Sequence, residues 1–301
     1  MKRKSLPALA LAAMFGVILA GSATVALAAD ATAPSHPNIL WLIAEDACKD
    51  FGCYGAAAAR TPNIDRFAAE SCRYDHAFST GPVCSSSRSA LITGLYQTRI
   101  GAQNHRSRRT REFAREPGVR LITERLREAG YFTANVRALP DDLGFSGAGK
   151  TDWNFFDDRK AFDSAQWSDL KSHQPFYAQV NIHETHRPYF RAAKNPTDPA
   201  AVKLPPYLAD DPIIRADWAA YLDEVAVLDG KIGALLELLD REGLRENTVV
   251  FFFADHGRED FRGKYYAYEQ GFETPLIVRW PALLQPGSTS DALVSFLGIA
   301  Q

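Results

Sequence analysis

Three short apolar runs in this sequence end in acidic residues or histidines. Asn38–Ala44 leads into Glu45 and Asp46, Pro175–Ile182 into His183 and His186, and Thr248–Phe253 into Asp255 and His256. An adjacent acid pair is ordinarily a polar loop or a cap. Two such ends set side by side would instead offer several carboxylate oxygens and one imidazole, a donor set for Ca2+ or, second, Mg2+. No third acidic or thiolate cluster points to zinc. The His-x-x-His pair can bind a metal, or place a core histidine beside a substrate-facing one. The structural role is preferred for His183 and the substrate-facing role for His186, which precedes Arg187 and Pro188.

The stretch "GPVCSSSRSALITG" adds a nucleophile candidate. Cys84 precedes a helix expected to begin near Ser87, and free N–H groups at a helix start favour an anion or a thiolate. Arg88 lies four residues on, about one helical turn, so its guanidinium can face the same anion. Lys150 in "GAGKTDWNFF" and Lys264 in "FRGKYY" each follow a glycine. A loop lysine is ordinarily solvated, but two near acid and histidine clusters could clamp an anion. The arginine-dense His105–Arg115 segment is ordinarily a solvated loop; the alternative is a rim that steers an anionic substrate.

These groups need a frame. Asn38–Ala44, Phe176–Ile182 and Thr248–Phe253 read as buried strands, with "YFTANV" and "TPLIVRWP" as further strands. "TPNIDRFAAESC", with Thr61 as N-cap and Pro62 at the first helical position, reads as a helix, as does "GVRLITERLREAG" up to Gly130. Tyr221, Val225, Leu228, Ile232, Leu235 and Leu239 mark one face of a long helix. Alternating strands and helices imply an α/β fold with a mainly parallel sheet, whose sites lie beyond the carboxyl ends of the strands.

Residues 1–28 read as a secretory signal peptide, with cleavage near Ala28 or Ala29. The expectation is an exported protein, periplasmic or secreted, without stable membrane insertion. An uncleaved anchor is the rival, disfavoured by Gly21, Ser22 and Thr24 in the apolar stretch. The formal charge of −2 gives no hint of a nucleic-acid partner. Cys48, Cys53, Cys72 and Cys84 could be oxidised after export, with a pairing that spacing does not settle.

In order along the chain, "NILWLIAED", "TPNIDRFAAE", "CSSSRSALITG", "GKTDWNF", "HETHRPY", "FFFADHGR" and "RGKYYAYEQGFETPLIVRWP" resemble the sulfatase family of the alkaline-phosphatase-like superfamily. The resemblance runs from about Pro37 to Gln301 and is nearest to bacterial members of the heparan N-sulfatase (sulfamidase) branch. It implies an α/β catalytic domain over 37–301, flanked by helices, and incomplete at its C-terminal end because the family's smaller C-terminal domain does not follow. It implies Ca2+ held by Glu45, Asp46, Asp255 and His256, with residue 84 as a further ligand. It implies that Cys84 is converted to formylglycine by a formylglycine-generating enzyme. The hydrated aldehyde would attack sulfur with one hydroxyl and expel sulfate with the other. Arg88 would orient the nucleophile, and Lys150, His186 and Lys264 would bind the sulfate of a sulfated carbohydrate. His186 or a lysine would assist the leaving group.

Two positions depart from the family pattern. Ser86 stands where the Cys-x-Pro motif has proline, and Asp152, counted with the catalytic set, stands where a histidine is common. Two other readings stay open: a phosphoester or phosphonate hydrolase of the same superfamily, and a sulfated-glycan-binding relic without turnover.

Overall fold

A computed structural model of the chain describes residues 36–189 and 195–300. The expected signal peptide lies outside the described residues. Among those described, no helix is long and apolar enough to cross a membrane.

Eight strands form one sheet: β1 (Asn38–Ala44), β2 (Cys72–Phe78), β3 (Phe132–Ala138), β4 (Ser164–Gln166), β5 (Phe176–Ile182), β6 (Thr248–Ala254), β7 (Leu276–Arg279) and β8 (Ser288–Ser295). Their order is β4-β3-β5-β1-β6-β7-β2-β8, and β7 is antiparallel to both neighbours while the other pairings are parallel. The expected mainly parallel α/β fold is therefore present. The central strands β5, β1 and β6 are mostly apolar because both faces are covered. Alternation sorts their side chains into two cores. Leu40, Leu42, Val250 and Phe252 face α1 (Pro62–Ala69) and α4 (Pro212–Arg241), whereas Trp41, Ile43 and Phe253 pack with Leu91 of α2 (Cys84–Thr93) and with Ile122 and Leu126 of α3 (Ile122–Glu128). All six periodic residues from Tyr221 to Leu239 are buried in the first core.

Two local readings change. The α2 helix starts at Cys84, not near Ser87. The serines look like cap residues, but each hydroxyl is taken by a neighbouring loop, leaving the backbone free to wind earlier. Thr61 precedes α1 but makes no capping bond. Asp229 of α4 caps α1 instead, accepting from the N–H groups of Asn63 (3.0 Å) and Ile64 (2.8 Å). All four cysteines are free thiols. Burial pushes the Cys48 thiol up to about 12, and it lies between Gln270 O and the Arg258 N–H.

Candidate active site

The parallel register aligns three strand ends. Ala44 pairs with Ile182 on one side and Ala254 on the other, so Glu45-Asp46, His183 and Asp255-His256 emerge side by side. Backbone bonds continue past the strands, from Asp255 N to Ala44 O (3.1 Å) and from Thr185 N to Glu45 O (2.9 Å). The first turn of α2 faces these ends. Ser87 Oγ donates to Asp255 O, Ser86 Oγ donates to Gln103 O (2.9 Å), and Ser85 Oγ meets His105 Nδ1 (3.0 Å) and accepts from Arg106 N (2.9 Å). Each serine thus ties the Cys84 turn to a different segment.

At the centre, one ligand atom from each of Asp46, Cys84, Asp255 and His256 lies within 4.8 Å of the others, and all four residues are buried. His256 Nε2 is 3.2 Å from Cys84 Sγ and 3.2 Å from Asp46 Oδ1. Its Nδ1 faces Gly257 O at 2.8 Å, which makes Nδ1 the donor and leaves Nε2 to serve as a ligand. Burial alone would lower the His256 pKa, but the Asp255 and Asp46 carboxylates raise it to about 10. Glu45 stands slightly apart. Its Oε2 accepts from Lys150 Nζ at 2.5 Å, and its buried Oε1 has no hydrogen-bond partner. Three carboxylates with an orphaned oxygen and an oriented imidazole fit a hard divalent cation. The thiol is the ill-matched member; an oxygen function at position 84 would complete the set.

Arg88 is buried, donating from Nε to Asp255 Oδ2 (2.9 Å) and from Nη1 to Asn181 Oδ1 (2.6 Å). Lys264 Nζ reaches Asp46 Oδ2 (2.7 Å), Glu259 Oε2 (3.1 Å) and His186 Nε2 (3.3 Å). His186 Nδ1 faces Arg187 O at 2.6 Å, so its proton sits on Nδ1 and Nε2 accepts from the lysine. The Cys84 pKa is lowered. Burial and Asp255 act upward, but hydrogen bonding to His186 and His256 and the charge of His256 outweigh them.

Most of the expected residues meet here: Glu45, Asp46, Cys84, Arg88, Lys150, His186, Asp255, His256 and Lys264. Asp152 differs from expectation. Its backbone has φ +50° and its carboxylate is bound by Arg106 (3.0 Å at both oxygens) and Arg109, so it anchors the arginine segment. The segment is exposed from Arg106 to Glu112, with Arg106 and Arg109 tied down by that carboxylate. His183 is exposed and stacks on His186 at 5.3 Å, so it is not a core residue. Glu259 and Asn181 complete the site and were not anticipated. Asn181, like Gln179, is a polar residue inside an apolar strand, which is the one local signal that could have exposed it.

The family model for sulfatases matches residues 37–300. The chain is 31% identical over 320 residues to an ulvan-active sulfatase of Formosa agariphila, covering 89% of this chain and 51% of that protein. It is 27% identical to human N-acetylgalactosamine-6-sulfatase, covering 89% of this chain and 61% of that protein. The chain thus spans about half to three fifths of the length of these relatives. In fold it is similar to a solved Bacteroides thetaiotaomicron structure described under the metabolism of multiple glycosaminoglycans, with a TM-score of 0.69, 21% identity, and coverage of 88% of this chain and 71% of that one.

Proposed function

The chain belongs to the sulfatase family, and on that premise we propose that it hydrolyses sulfate groups of sulfated carbohydrates at the Cys84 turn. The buried meeting of Asp46, Cys84, Asp255 and His256, flanked by Lys264 and His186, carries this reading. Glu45, Asp46, Asp255, His256 and residue 84 would hold Ca2+, which supplies charge stabilisation of oxygen, while formylglycine at position 84 supplies the nucleophilic hydroxyl. Arg88, fastened to Asp255 and Asn181, sets the orientation of the turn. Lys150, Lys264 and His186 line the anion side and offset the sulfate charge. Lys264 and His186 share the proton that the departing sugar oxygen requires. The net reaction takes up one water, breaks the sulfur–oxygen bond, and releases sulfate and the sugar hydroxyl.

Ser86 is compatible with this role. It occupies the first turn of α2, where proline is tolerated, and its hydroxyl adds a bond to Gln103 O (2.9 Å). The Pro-to-Ser difference therefore bears on the unfolded peptide that a formylglycine-generating enzyme would read. Export through the signal peptide of residues 1–28 would bring the enzyme to periplasmic or extracellular glycans.

The test pairs mass spectrometry of the Cys84 peptide with sulfate release from an aryl sulfate, a sulfated disaccharide and an N-sulfated glucosamine, in Ca2+ and in chelator. Calcium-dependent release by the formylglycine form is expected, and the third substrate reads the N-sulfatase resemblance. Formylglycine-bearing, Ca2+-loaded protein that releases sulfate from none of them would overturn the reading. A thiol at position 84 with glycan binding but no turnover would mark the relic.

A further inference from the structure

Of the seven large apolar or aromatic side chains exposed among the described residues, four lie on one strap around Lys264: Phe261, Tyr265, Tyr266 and Tyr268. Single exposed apolar groups are ordinary, but a cluster rimmed by polar groups marks a binding surface. The strap is firmly held. Lys264 N donates to Arg258 O (2.8 Å), Tyr266 N to Gly263 O (3.0 Å) and Tyr265 N to Pro82 O (2.7 Å), two residues before Cys84. A Cβ on Gly263 would lie 2.1 Å from Arg258 O, so the turn needs glycine there. Beneath it, buried Arg258 binds Asp50 (2.8 Å) and Asp260 and packs on Trp218 at 4.4 Å. The rings are thus presented to solvent by a fixed backbone.

Arg262 is the second observation. Its guanidinium lies over the rings of Tyr268 (5.1 Å), Tyr207 (5.4 Å) and Phe261 (6.0 Å). Among the described residues it has no ion pair, and its buried Nε has no partner. Most other arginines close to the site are neutralised, Arg88 by Asp255, Arg106 by Asp152, Arg187 by Asp217 and Arg258 by Asp50. A guanidinium caged by aromatic faces and lacking a counter-charge suits an incoming carboxylate or sulfate, which it can bind bidentately. Tyr265 joins the cage to the clamp: its ring is 5.7 Å from Lys264 Nζ and edge-on to His105 at 5.8 Å.

We propose that the 261–268 strap is a saccharide platform, with Tyr265 stacking on the sugar that carries the scissile sulfate and Arg262 pairing with a second anionic group on a neighbouring sugar. The C–H face of a pyranose is positively polarised and meets the negative face of an aromatic ring. The substrate class is accordingly an oligosaccharide or polysaccharide with repeated anionic groups, not an isolated sulfated monosaccharide. This inference rests on the carbohydrate reading of the preceding section.

The test uses the full chain with Cys84 left as a thiol, so that no turnover intervenes. Calorimetry compares inorganic sulfate, a heparan sulfate hexasaccharide and its fully desulfated counterpart. Arg262→Ala and Tyr268→Ala, each checked for native folding by circular dichroism, are expected to weaken hexasaccharide binding about tenfold. Inorganic sulfate binding should remain as in the parent chain, and the desulfated chain should bind weakly to all forms. Equal hexasaccharide affinity in parent and variants would overturn the platform. So would no hexasaccharide binding by the parent, as expected if the strap serves a protein partner, or a matching loss for inorganic sulfate. Turnover of aryl sulfate by the formylglycine form is read separately, so failure of hydrolysis and failure of the platform are distinguishable.

Discussion

Lys264 and Asp46 show how closely the site's charges are coupled. Lys264 Nζ contacts Asp46, Glu259 and His186, and Asp46 also faces His256. Lys264→Ala removes a cation that bridges Asp46 and Glu259 to His186. On the sulfatase reading, kcat/KM for an aryl sulfate should fall about 10²- to 10³-fold, the usual cost of losing one preorganised charge-stabilising donor. Initial-rate kinetics on the formylglycine form checks this. The proposed cation site makes a second prediction that needs no turnover. Ca2+ at a hundred times its Kd should raise unfolding stability by about 2.7 kcal/mol. Asp255→Asn should abolish that gain, because it removes a charged oxygen from the centre of the cluster. Thermal melts with and without Ca2+ read both.

Helix placement depends on polar groups far apart in sequence. The start of α1 has no cap of its own; Asp229, 166 residues from Asn63, accepts its free N–H groups. Asp229→Ala should therefore cost about 2 kcal/mol, within the range for a lost cap. A lower urea midpoint at unchanged m-value would report it, whereas a silent substitution would show that water replaces the carboxylate. On the other face, α2 is buried along its whole length, and Ser85, Ser86 and Ser87 fasten its first turn to loops. The helix is consequently a carrier for Cys84 and Arg88, placed by polar contacts as much as by apolar packing.

Across the molecule, paired carboxylates link stability to pH. For Asp157, burial pushes the pKa up, but hydrogen bonds from Arg159 and Arg115 and the charge of Arg115 hold it below the usual carboxylate value. Burial likewise opposes the lowering of Glu124 by Arg115 and of Asp152 by Arg106 and Arg109. These groups stay ionised in the folded chain at pH values where the unfolded chain takes up protons. Their contribution is thus fully present above the unfolded carboxylate pKa values and is lost as pH falls through the lowered, folded ones. Urea midpoints from about pH 7 to about pH 3 should decline toward acid. Arg115→Ala should flatten that decline, since its buried guanidinium bonds both Asp157 and Glu124.

The sequence by itself determined the frame and most of the site. Apolar runs long enough to be buried on both faces marked β1, β5 and β6, and the charged residues at their ends had to emerge where those runs stop. Parallel pairing then brought Glu45, Asp46, Asp255 and His256 together without further information. Only the tertiary structure decided which loops meet. Asp152 turned out to serve Arg106 and Arg109, Glu259 to hold Lys264, and Asn181 to hold Arg88 from 93 residues away. The α2 start moved to Cys84 because its serine hydroxyls found partners in distant loops. Strand burial is written in local composition and periodicity, whereas a buried polar group is satisfied by whichever chain the fold brings beside it, and local sequence carries no record of that neighbour.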